Sequence, residues 1–171
     1  MMMSRRAFLS LAAAAASAYP ACAGSAPLVA LPGRVAAPDF ALADLAGHVH
    51  TLKDYRGRPL LLSFWAVWCP PCRRELGALA TLRERLAAAG IAVVAVNLGD
   101  RLERITAFLA DHPAPELPVL LDSDRAAAAA WHVQGLPVAY AVDGAGELRL
   151  GALGERDWLA PAIEAQLRAL D

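Results

Sequence analysis

Leu60-Leu61-Leu62-Ser63-Phe64-Trp65-Ala66-Val67-Trp68-Cys69-Pro70-Pro71-Cys72-Arg73-Arg74-Glu75-Leu76 changes its hydrophobic period halfway along. Its first six residues are a continuous run bounded by Pro59, the pattern of a short strand buried on both faces. From Arg73 onward, Leu76, Leu79, Leu82 and Leu86 recur at helical spacing, and Gly90 supplies a stop. Cys69 and Cys72 therefore sit where a buried strand hands over to a helix.

That position is specific for thiol chemistry. The nucleophile in thiol–disulfide exchange is the thiolate, and a helix N-terminus stabilises an anion through unpaired N–H groups and the macrodipole. Cys69, at the edge of the helix, is expected to have a lowered pKa and to be the attacking sulfur. Cys72 lies one turn on, on the same face, and can close a redox-active disulfide with Cys69 and resolve a mixed disulfide. Pro70 and Pro71 donate no N–H and suit a first helical turn.

Two plainer readings of the pair are weaker. Half a zinc site needs two more ligands, and beyond Cys22 no other cysteine exists. His48, His50, His112 and His132 show no paired ligand spacing, and His48/His50 reads as a surface pair on a strand. A structural disulfide over so short a span gains little entropically. No metal and no cofactor are expected.

Outward from the motif, Phe40–Leu42 and Val49–Leu52 read as a hairpin turning at Gly47, and Lys53–Gly57 as a helical turn. Ile91–Val96 is a second buried strand, and Pro118–Leu121 a third. Asp100 with Glu103 predicts a capped helix running to about His112. Ser123 or Asp124 is expected to cap the alanine-rich helix ending at Trp131. Val138–Val142 and Leu148–Leu153 form a second hairpin, and Asp157–Leu170 a closing amphipathic helix. This order predicts an α/β fold, a central mixed sheet flanked by helices with an N-terminal β-hairpin extension.

The 171 residues suit one domain, with 57% hydrophobic and 19% charged residues and a net charge of −1. Disorder and a nucleic-acid footprint are excluded on that balance. Residues 1–23 read as a signal peptide: Arg5-Arg6 followed by Phe8-Leu9, an alanine-rich apolar run and Ala21-Cys22-Ala23. The arginine pair resembles a twin-arginine signal, with ordinary secretory export as the alternative. The apolar segment is shorter than the roughly 20 residues that span a bilayer. Cys22 lacks a proper lipobox in Tyr19-Pro20-Ala21, so removal with the signal outweighs lipidation, and an uncleaved signal would instead leave a membrane tether. Residues 24–37, with Pro27 and Pro32, read as a linker or loosely held arm, and 38–171 as the domain. Export places the protein in the periplasm.

Phe64–Leu76 resembles the signature of exported TlpA/ResA-type thioredoxin-like proteins, and the similarity extends over most of Phe40–Leu170. Val93–Gly99 and Val133-Gln134-Gly135-Leu136-Pro137 are similar to the same family at corresponding places. The resemblance implies a thioredoxin-like fold and a reductase that keeps substrate cysteines reduced during cytochrome c or oxidase copper-site assembly. Protein thiols or disulfides would be its substrates, and a membrane thiol-reducing protein its electron donor. It implies that Pro137 is cis, that Leu136 docks substrate backbone, that Trp68 shields the sulfurs, and that Glu75 modulates the thiol pKa values. Gly77, Val138 and Val67 depart from the family pattern, which makes substrate identity less transferable. A disulfide oxidase or isomerase would use the same C-x-x-C at a higher potential. A copper chaperone would want Met or His beside the cysteines, and the only methionines are Met1–Met3. A peroxidase would need a separate peroxidatic cysteine.

Overall fold

The computed structural model describes residues 26–170. In chain order the strands are β1 Val29–Ala36, β2 Ala41–Asp44, β3 Val49–Thr51, β4 Leu60–Trp65, β5 Ala92–Leu98, β6 Val119–Asp122, β7 Val138–Val142 and β8 Glu147–Leu153. The helices are α1 Pro70–Ala87, α2 Leu102–Asp111, α3 Ala126–Ala130 and α4 Pro161–Arg168, with a 3-10 turn at Leu52–Tyr55. The strands form a single sheet in the order β1-β8-β7-β4-β5-β6-β2-β3. β4, β5 and β6 are parallel, and α1 and α2 are the crossovers between them. Every other pairing is antiparallel, so the sheet is mixed as the element order predicts.

The apolar run of β4 is buried at all six positions because the sheet is covered on both faces. Leu61 and Trp65 join one cluster with Leu76, Leu79, Leu82 and Leu86 of α1, Ile105 and Phe108 of α2, and Ile163 and Leu167 of α4. Leu60, Leu62 and Phe64 face the other way, into a cluster with Leu52, Tyr55, Val94, Val96 and Trp131. Cys69 and Cys72 belong to the first cluster.

Five local expectations differ from the structure. The segment read as an arm carries β1, which pairs with β8 (Val29 opposite Gly151, Ala36 opposite Glu147), so it is part of the sheet. The backbone bonds of the β8 edge hold it, although its side chains are largely exposed. Asp100 does not cap α2: Arg101 stands at the N-cap without a side-chain bond. At α3, Asp124 Oδ1 accepts the Ala126 N–H, but the deeper N–H groups of Ala127 and Ala128 go to the buried carboxylate of Asp122. α4 starts at Pro161, later than the spacing predicts, because Asp157 closes a turn by accepting the Leu159 N–H. Conversely α1 starts earlier, at Pro70, taking both prolines into its first turn.

Candidate active site

β4 delivers the chain to Cys69, which occupies the N-cap of α1 in an extended conformation (φ −96°, ψ 102°). Pro70 and Pro71 have no N–H, so the first backbone donor of the helix is that of Cys72. It points at Cys69 Sγ, 3.4 Å away. The prolines thus leave the cap sulfur a single, defined donor, and the Arg73 N–H bonds the Cys69 carbonyl at 3.2 Å. A thiolate at this sulfur gains both a hydrogen bond and the positive end of the helix. Cys69 and Cys72 are disulfide-bonded, with Cα atoms 5.4 Å apart. The pair is secluded, at 3% and 1% exposure, while the neighbouring Trp68 indole is 54% exposed. Trp65, Trp131 and Trp158 are core residues.

The antiparallel register of β4 and β7 puts Phe64 opposite Val138. Pro137, one residue before Val138, is thereby brought beside the end of β4, next to the link into Cys69. It is buried, and the Leu136–Pro137 peptide is cis. Its carbonyl accepts the Gly154 N–H at 2.8 Å. Leu136 packs against the cluster that contains both cysteines. Sites 69, 72, 136 and 137, far apart in the chain, are therefore gathered at one end of the sheet.

Glu75 is one turn beyond Cys72 on the inward face of α1 and is 3% exposed. Burial pushes its carboxyl up to about 7; the Arg156 backbone N–H on Oε1 and the nearby Trp158 indole offset part of the effect. Oε2 makes no hydrogen bond, and neither does Trp158 Nε1. The loop that supplies Arg156 is also held from outside, where Arg74 forks onto Glu155 at 2.8 and 2.6 Å. That exposed pair holds Glu155 below the usual carboxylate range through its hydrogen bond with Arg74.

Two residues at the site carry no motif of their own. Arg156 acts through its backbone, which sequence cannot flag. Asp100 was legible only as a capping partner of Glu103, and the structure turns it instead towards the Val67 N–H. The histidine pair lies elsewhere: His48 Nδ1 and His50 Nε2 approach Asp44 Oδ2 at 3.4 and 3.2 Å. Among the described residues no group of three or more His, Cys, Asp or Glu is arranged to hold a metal ion. The signal-peptide reading of residues 1–23, including Cys22, lies outside the described residues.

The model of the AhpC/TSA family matches residues 34–150. The chain belongs to the AhpC/TSA family. It is 36% identical over 113 residues to the thiol-disulfide oxidoreductase ResA of Geobacillus kaustophilus, covering 66% of this chain and 64% of that protein. This AhpC/TSA chain thus aligns with just under two thirds of the ResA length. It is 33% identical over 138 residues to the thiol:disulfide interchange protein DsbE of Vibrio cholerae, covering 76% and 73% respectively. A crystal structure from Chlorobium tepidum, described as a DsbE-type thiol:disulfide interchange protein, superposes with a TM-score of 0.74 at 35% identity. It covers 82% of this chain and 98% of its own. The fold is thioredoxin-like.

Proposed function

We propose that this chain is an exported thiol–disulfide oxidoreductase working as a reductase of disulfides in partner proteins. The observation that carries the reading is Cys69 Sγ at the α1 cap, taking the Cys72 N–H and bonded to Cys72. The names of the ResA and DsbE relatives support the same reaction class.

In the dithiol form, the Cys69 thiolate attacks a substrate disulfide. A bond forms between Cys69 and one substrate sulfur, and the other leaves as a thiolate that takes up a proton. Cys72, losing its proton, then attacks Cys69 Sγ and releases the second substrate thiolate. The chain ends as the Cys69–Cys72 disulfide, and two electrons have passed to the substrate. Glu75, one turn beyond Cys72 and with its carboxyl raised to about 7, is our candidate acceptor for that proton. Leu136 and Pro137 offer the backbone beside which a substrate strand docks, with Trp68 as its exposed apolar neighbour. A membrane thiol-reducing donor returns the pair to the dithiol. Apocytochrome c or an oxidase copper site under assembly is the substrate class that the TlpA/ResA resemblance favours, and residues 1–23 are the export signal.

The Cys69–Cys72 potential tests the direction of electron flow. A value near about −270 mV supports a reductase, and one near about −120 mV makes the protein an oxidase. Trapping with Cys72→Ala in the exported compartment tests the substrate. The lone Cys69 is expected to retain its partner as a mixed disulfide that mass spectrometry identifies, and Cys69→Ala to retain none.

A further inference from the structure

The Asp100 carboxylate has no part in the exchange steps above, yet it is tied to the chain that leads into Cys69. Its side chain is only 3% exposed. Oδ2 accepts the Val67 backbone N–H at 2.6 Å and Asn97 Nδ2 at 3.1 Å, while Asn97 Oδ1 accepts the Asp100 N–H at 3.1 Å. Arg104 Nη1 stands 3.5 Å from Oδ1. Asn97, itself 1% exposed, pairs in register with Trp65, the last residue of β4. Only Ala66, Val67 and Trp68 separate Trp65 from Cys69, and the Ala66 carbonyl accepts the Cys69 N–H at 3.1 Å. A secluded carboxylate is costly unless it is bonded. Here its shortest bond goes to the middle residue of the link that sets where Cys69 Sγ lies.

We propose that Asp100 is a positioning residue for the exchange reaction: through the Val67 N–H it fixes Ala66–Trp68 and so holds Cys69 Sγ at the cap of α1. The proposal rests on Cys69 being the nucleophile. Once the link loosens, Sγ leaves the short range over which a helix end stabilises an anion, and the thiolate population falls. The charge of Asp100 acts the opposite way, because a nearby anion disfavours a thiolate. An asparagine keeps an acceptor oxygen and drops the charge, so it separates the hydrogen bond from the charge.

The test is the pH profile of iodoacetamide alkylation of the reduced full chain, followed at the Cys69 peptide by mass spectrometry. Glu75 and Arg104 are unchanged in every variant. Asp100→Ala is expected to move the Cys69 titration up by about one pH unit and to slow alkylation at pH 6 about tenfold. Asp100→Asn is expected to stay within about threefold of the parent rate, or to exceed it. Equal loss in both variants overturns the proposal, as does an Asp100→Ala profile that superimposes on the parent while only Tm falls. A parent profile like that of a free thiol instead overturns the nucleophile reading, so the two failures are distinguishable. Should Asp100→Ala not fold, amide exchange in the unaltered chain decides. The Val67 N–H is expected to exchange at least about a hundredfold more slowly than that of Trp68, and equal exchange overturns the proposal.

Discussion

Glu75 and Asp122 are both carboxylates cut off from water, at 3% and 0% exposure, yet the structure treats them in opposite ways. Asp122, at the end of β6, directs both oxygens to backbone donors: Ala127 N–H at 3.1 Å and Ala128 N–H at 2.7 Å. It closes the start of α3, whose N-cap residue Arg125 sits at φ 61° and makes no side-chain bond. Glu75 receives one backbone N–H and leaves Oε2 without a partner, and burial lifts its pKa to about 7. A buried carboxylate with its donors in place serves as architecture. A missing donor leaves a carboxyl whose pKa burial raises to about 7.

The largest effect belongs to the sulfurs themselves. Cys69→Ala is expected to bring thiol-dependent insulin reduction to background, whereas Asp122→Ala keeps the Cys69–Cys72 potential of the folded fraction unchanged. A potential that moves with Asp122 would erase the division between the two regions.

Next comes the pH dependence of stability. Between the ordinary value of 4.5 and about 7, folded Glu75 keeps a proton that the unfolded chain has lost. Stability is therefore full below about pH 4.5 and declines as pH rises through 7, by on the order of 3 kcal/mol. Denaturant titration of the disulfide form at pH 5 and pH 8 should show that decline, and Glu75→Gln should flatten it. An undiminished slope in Glu75→Gln would assign the titration to another group.

Asp122→Ala strands two buried N–H groups and removes a helix cap, and it should cost about 2 kcal/mol at both pH values. A loss confined to one pH would overturn the reading of Asp122 as a structural cap. The smallest effect is at the exposed Arg74–Glu155 pair: Glu155→Gln should leave Tm within about 2 °C. A larger drop in calorimetry would mean that this ion pair, rather than the buried Glu75 contact, holds the loop from Gly154 onward.

Legibility followed the range of the interactions concerned. The strand β4 and the helix α1 are both readable because their patterns are local: an apolar run bounded by Pro59, then leucines at helical spacing. The C-x-x-C is readable because both cysteines lie at that local junction. β1 was not, since no residue of Val29–Ala36 is buried and it is a strand only because β8 offers an unpaired edge. Asp100 misled for a related reason. Its spacing to Glu103 mimics a cap, but a carboxylate bonds the nearest buried donor, and that donor belongs to Val67 on another strand's exit.

Local order was enough for the buried parallel strands, the leucine-faced helix after the motif and the placement of two cysteines at the strand-to-helix junction, because each depends on neighbours within a few positions. Tertiary structure alone decided that Pro137 stands beside the chain into Cys69, that Glu75 loses water and one hydrogen-bond partner, and that Asp100 reaches back across the sheet. Those outcomes depend on which distant backbone groups burial brings together, and no local pattern encodes them.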